Sequence, residues 1–270
     1  MKMAITWTSE KRKFAPLIFT GNLDKSMEEA SNLGYKGMEL SVRTGRDIPV
    51  EDVKALLDKY GMEISNVGTG LARGEDGLSF SDRDERTRKR AVERLKEQID
   101  FAAQLKAPVV FGLIRGDLET DENVRKSQLH WIIDCAKQST EYANKLDVDI
   151  IVEPINRYET NFLNTIQESV EFAETIGLPN VGVMGDTFHM NIEERDFVES
   201  LQQAGKHLKY VHLADSNRWP PGRGHIDFAR IIATLKQIGY GGYLSIECLP
   251  NPDPMTAARQ AIEYVTPLIS

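Results

Sequence analysis

Eight short runs rich in valine, isoleucine and aromatic residues recur along the chain, and each is followed by a longer amphipathic stretch. Apolar runs without polar alternation are strands buried on both faces, and the segments between them are the crossover helices that parallel pairing requires. The expected strands are MAITW (3–7), KGMEL (36–40), MEISNV (62–67), PVVFGLI (108–114), DIIVE (149–153), VGVMGD (181–186), YVHLAD (210–215) and YLSIE (243–247). Helix punctuation agrees with them. Asp24 to Leu33 runs into Gly34, Pro49 stands at a first helical turn, and Leu163 to Ile176 stops at Gly177. The longest helices are expected from Arg83 to Leu105 and from Glu122 to Leu146. Eight pairs in 270 residues leave roughly 34 residues each, the size of a barrel unit, so the expected fold is α/β, one (β/α)8 TIM barrel domain over residues 1–270. A doubly wound open sheet would show a phosphate-binding fingerprint after an early strand. The nearest candidate, GTGLARG at 68–74, lacks the third glycine at the required place and reads as a tight turn between strand and helix.

Charge narrows the range of partners. A net charge of −8 argues against a surface that follows nucleic-acid phosphates, which needs a local excess of lysine and arginine. A small polar or metal-bound substrate fits better. The two cysteines, Cys135 and Cys248, form no CxxC pattern, and neither a disulfide framework nor a zinc ribbon is suggested. The first residues, MKMAITWTSEKRK, hold too short an apolar stretch for a signal peptide, and no run approaches the roughly 18 apolar residues of a membrane span. A cytoplasmic location is expected.

In a barrel of this kind the active site is built where strands end at their carboxyl side. The fifth strand ends in Glu153, the sixth in Asp186, the seventh carries His212 and the eighth ends in Glu247. An ionisable residue at one strand end is ordinary. Four on consecutive strands place three carboxylates and an imidazole at one side of the barrel mouth. Packed carboxylates repel one another unless a cation holds them, and this oxygen-rich donor set suits Mn2+ or Mg2+.

The stretches VEPINRYETNFLNT (152–165), GDTFHMNIEE (185–194), HLADSNRWPPGRGHIDF (212–228) and GYGGYLSIECLP (239–250) resemble the metal-dependent ketose 3-epimerases of the xylose-isomerase-like barrel superfamily, the D-tagatose 3-epimerase-like proteins. RYETNFLNT and ADSNRWPPGRGHIDF are most similar to the branch acting on 5-keto-L-gluconate. The resemblance implies that Glu153, Asp186, His212 and Glu247 bind one divalent metal, with Mn2+ first and Mg2+ or Co2+ as alternatives. It implies that Glu153 and Glu247 are also the acid and base, and that Glu159, His189 and Arg218 bind substrate oxygens. His189 is expected on the loop after strand six. The reaction implied inverts C3 of a ketose or keto-sugar acid through an enediolate, in a homo-oligomer, a dimer or tetramer.

Other readings use the same barrel. An aldose-ketose isomerase or an inosose-type dehydratase would share the metal site. A DNA repair endonuclease of the superfamily would need extra histidines, but the chain has five and none precedes residue 130. A non-catalytic sugar-binding module is a further alternative. Glu159 by itself reads equally as a loop acid paired with Arg157, and Arg218 as a solvated loop residue. Arg115, just beyond strand four, is a candidate for gripping a substrate carboxylate. His130 and His207 are expected to be structural. His225 and Asp227 are expected to form a turn and a helix cap, in preference to a second metal site.

Overall fold

The computed structural model describes residues 1–9 and 16–270. Among the described residues nine parallel strands make one closed sheet: β1 (Lys2–Thr8), β2 (Phe19–Thr20), β3 (Gly37–Ser41), β4 (Glu63–Gly68), β5 (Val109–Phe111), β6 (Ile150–Val152), β7 (Val181–Asp186), β8 (Leu208–Leu213) and β9 (Tyr243–Ile246). Eight of them follow chain order around the barrel, β9 pairs with β1 to close it, and the two-residue β2 adds to β1 outside that circuit. Among the described residues the α-helices are α1 (Leu23–Leu33), α2 (Val50–Tyr60), α3 (Gly70–Asp76), α4 (Glu85–Leu105), α5 (Glu122–Asn144), α6 (Ile166–Ile176), α7 (Thr187–Glu193), α8 (Phe197–Ala204), α9 (Phe228–Gln237) and α10 (Pro254–Ile269). None is long and apolar enough to cross a membrane among the described residues.

Most of the apolar core lies between the strands and the helices. Inside the barrel a small separate layer of Val110, Ile151, Met184 and Tyr210 fills the middle, with Tyr243 packed against it. Side chains alternate along a strand, so the residue two positions on faces the same way. From Ile151, Met184 and Tyr210 that step leads to Glu153, Asp186 and His212, and from Tyr243 it leads through Ser245 to Glu247. The period that packs the barrel therefore also aims these polar groups inward.

Several expected boundaries shift for local reasons. The strand expected over 108–114 ends at Phe111, and Leu113–Arg115 forms a turn of 3-10 helix. The helix expected from Leu163 begins at Ile166, because Thr165 and Glu168 close a capping box there. GTGLARG is not a tight turn. Residues from Gly70 wind into α3, which buries Leu71 and Ala72 and ends at Gly77 with φ +63°. The flanking glycines suggest a loop, but the helix formers between them decide the conformation. Asp227 caps α9 by accepting from the Arg230 N–H, and His225 Nδ1 lies 3.0 Å from Ser216 Oγ.

Candidate metal centre

Glu153, Asp186, His212 and Glu247 come together at the carboxyl end of the barrel, each offering one donor atom, all within 4.8 Å of one another. His212 Nδ1 lies 3.6 Å from Asp186 Oδ2, 3.6 Å from Glu247 Oε2 and 3.8 Å from Glu153 Oε1. Asp186 and His212 are direct cross-strand partners on β7 and β8, which fixes their spacing. Glu153 and Glu247 stand one residue past the ends of β6 and β9. Close approach of backbone matters beside Glu153: a Cβ on Gly112 would lie 2.7 Å from its Oε2.

Asp186 has two jobs. Its Oδ1 accepts from the Phe188 and His189 N–H groups and so caps α7. Its Oδ2 is buried with no hydrogen-bond partner, as is His212 Nδ1. Two unpartnered buried polar atoms facing each other are costly unless something polar or charged comes between them. The electrostatics point the same way. Burial, and next the charge of Glu247, push the Glu153 carboxyl up to about 8. Burial likewise raises Glu247 to about 7, against the pull of His212 and Arg218. Against burial, Glu39 and Glu247 hold His212 well above the usual histidine range.

His189 lies within α7, not on a loop, because the Asp186 cap starts the helix directly after β7. Its Nδ1 receives the Asn156 backbone N–H at 3.4 Å and lies 2.7 Å from Asn156 Nδ2. A backbone N–H can only donate, so Nδ1 is the acceptor and the ring proton sits on Nε2. Burial pushes His189 down to about 4, leaving the ring neutral near pH 7. Its Nε2 is 3.7 Å from Asp186 Oδ2. Arg218 spans the mouth. One guanidinium nitrogen donates to Glu159 at 3.0 Å and another to Glu247 at 3.1 Å, with the group 4.5 Å from the Phe188 ring centre. Glu159 accepts from Asn156 Nδ2 at 2.9 Å, while Arg157 turns outward to pair with Glu193. These side chains bound a cavity of about 190 Å³ whose apolar wall includes Leu17, Val110, Leu113 and Ile155.

Arg115 does not join the site. Its side chain is fully buried, and its guanidinium donates to the backbone carbonyls of Phe162, Gly112, Glu153 and Leu163 at 2.9–3.1 Å. The 3-10 turn after β5 swings it inward, where four of its five N–H groups are committed to backbone carbonyls. His130 lies on the outside of α5 beside Asp134, and His207 follows α8 near Glu174.

Sequence reasoning passes over two residues. Asn156 sets the His189 tautomer from within the motif EPINRYE. Glu39 lies on β3, 4% exposed, with its Oε2 2.8 Å from His212 Nε2. Its signal is a lone acid at an inward position of the apolar run KGMEL, with no neighbouring residue to explain it.

Comparison with known proteins follows the same line. The chain is 31% identical over 229 residues to an L-ribulose 3-epimerase of Methylomonas sp., covering 83% of this chain and 77% of that one. It is 29% identical over 237 residues to a probable ketose 3-epimerase of Synechocystis sp., covering 85% and 79%. A solved D-allulose 3-epimerase from Methylomonas sp., in complex with D-allulose, matches with a TM-score of 0.82 and 26% identity over 99% of both chains. The family model for the xylose isomerase-like TIM barrel matches residues 27–268, and the chain belongs to that family.

Proposed function

We propose that this protein is a divalent-metal-dependent sugar epimerase that inverts C3 of a ketose or keto-sugar acid. The observation that carries the reading is the pair of raised, half-buried carboxyls, Glu153 and Glu247, around one donor cluster at the floor of a sugar-sized cavity. Similarity to ketose 3-epimerases over most of the chain supports it.

The residues present fit a metal ion. Three carboxylate oxygens and one imidazole nitrogen are a donor set for Mn2+, Mg2+ or Co2+, with Mn2+ first, and two of the donor atoms have no other partner. When bound, such an ion stabilises developing negative charge on the substrate by several kcal/mol as a Lewis acid. The chain's own groups do the proton work. Removing the C3 proton beside a ketone leaves an enediolate, and a proton returned to the opposite face inverts the centre. In this reading Glu153 and Glu247 take and give that proton. Burial raises both, a cation works against the rise, and the pair sits where a carboxylate can act in either direction near neutral pH. His189 offers its Nε2–H, and Arg218 its guanidinium, to substrate oxygens. Leu17, Val110, Leu113 and Ile155 keep water from that side of the cavity.

Metal affinity should rise with pH. Without a cation, Glu153 holds its proton up to about 8 and Glu247 up to about 7. A bound ion competes with the protons of this pair and of His212, so binding strengthens from pH 5 to 8. The sign for the metal-free fold is opposite. Between about pH 4.3, where an unfolded glutamate titrates, and about 8, Glu153 and Glu247 bind more protons in the folded chain, so their contribution to stability falls as pH rises. Calorimetric titration with Mn2+ in buffers of different ionisation enthalpy measures the released protons; an affinity flat across this window contradicts the assignment.

The activity test is a metal-supplemented screen in D2O of ketohexoses and keto-sugar acids, including 5-keto-L-gluconate with D-tagaturonate as product, followed by NMR. Inversion at C3 with deuterium there is expected. Deuterium confined to C1 or C2 would instead establish an aldose-ketose isomerase, and loss of water a dehydratase.

A further inference from the structure

We propose that Glu39 is a positioning residue that fixes the ring of His212, so that Nδ1 is held toward the metal. The inference rests on the reading of His212 as a metal ligand. Glu39 Oε2 is approached by three groups: His212 Nε2 at 2.8 Å, Tyr210 Oη at 3.0 Å and Ser245 Oγ at 3.0 Å. Asn66 Nδ2 reaches the other oxygen at 3.4 Å, and Ser65 Oγ lies 2.8 Å from Tyr210 Oη. The partners come from β4, β8 and β9, so the network ties together strands on different sides of the barrel interior.

A carboxylate in that place is hard to explain as packing. An apolar side chain of similar size would fill the interior without the cost of burying an acid. What the acid does is set a ring nitrogen. The oxygen that receives Tyr210 and Ser245 also receives His212, so Nε2 keeps its hydrogen and Nδ1 is the nitrogen that gives up its proton to offer a lone pair to a metal. Nδ1 is the atom that faces Glu153, Asp186 and Glu247 and has no hydrogen-bond partner. Groups that orient a ligating histidine through its other nitrogen typically change metal affinity 10- to 100-fold when removed. Tyr210 and Ser245 hold Glu39 in turn. The polar layer beneath the cluster is therefore support for the ligand set, built from residues that do not touch the ion.

Mn2+ titration followed by the EPR signal of the free ion tests this on the whole protein. Glu39→Ala is expected to weaken Mn2+ binding about 10- to 100-fold. Glu39→Gln, which keeps an acceptor oxygen and the side-chain volume, should lose less than Ala. Tyr210→Phe and Ser245→Ala remove one donor each and should shift affinity in the same direction by a smaller factor, which keeps the test open if Glu39→Ala does not fold. In protein labelled with 15N-histidine and loaded with Mg2+, the wild-type His212 ring should show a protonated Nε2, and Glu39→Gln a weakened hydrogen bond at that atom. Folded variants that match the wild-type Mn2+ affinity contradict the role of Glu39, even if their melting temperature falls. A wild-type protein that binds no Mn2+ contradicts the metal centre itself and removes the basis of the inference.

Discussion

Glu153→Gln or Glu247→Gln, assayed with saturating metal, should each lower kcat by about 10²- to 10⁴-fold, the usual worth of a positioned acid or base. Glutamine keeps the size and one oxygen donor, so the cluster that brings the four donor atoms within 4.8 Å of one another can still form with one charge fewer. Metal affinity falls as well, and the assay has to be read above the new saturation point. The two variants are not equivalent. Glu247 is bonded to Arg218 at 3.1 Å, and losing its charge frees that guanidinium, so substrate KM should change more in Glu247→Gln than in Glu153→Gln. Near-normal turnover in both would leave the proton transfer without its agents and favour a sugar-binding module.

Arg115→Met should destabilise the fold by about 3–5 kcal/mol, as expected when a buried charged donor is removed from the groups it satisfies. Four backbone carbonyls lose the guanidinium, those of Phe162, Leu163, Gly112 and Glu153, of which Leu163 keeps the Ile155 N–H and Gly112 the backbone N–H of position 115 itself. Burial pushes the Arg115 guanidinium down to about 10, which still leaves it charged at neutral pH. Its work is to hold the segment that presents Glu153, Asn156 and Glu159. Arg115→Lys, with fewer donors and no planar fork, should recover part of the loss. Urea denaturation measures the difference. A variant of unchanged stability whose KM rises only for acid substrates would restore the role of carboxylate grip to this residue.

The barrel is legible in the sequence because strand and helix periods are local, and the eight repeats leave few other closed arrangements. The cluster is legible for a related reason: Asp186, His212, Glu153 and Glu247 sit where four consecutive strands end, and the twofold alternation that buries Ile151, Met184 and Tyr210 carries them inward. Glu39 is not legible, since its partner His212 is 173 positions away and only barrel closure brings them together. Arg115 misleads because the direction of a side chain after a strand depends on the next turn, and the 3-10 turn at Leu113–Arg115 reverses it. The segment DTFHMNIE conceals a helix of seven residues for a similar reason. Asp186 serves as cap and cluster member at once, one oxygen for each, and the sequence displays a single acid.

The central claim is that two different carboxyl groups, one on each side of C3, perform the inversion. Short incubations of metal-loaded enzyme in D2O, with both the product and the recovered substrate analysed by NMR, test it most directly. A proton taken by Glu153 or Glu247 and replaced from the other should give a product with one deuterium at C3, while early recovered substrate carries almost none. Recovered substrate labelled at C3 as fast as the product would mean one base acting on one face, and would contradict the account.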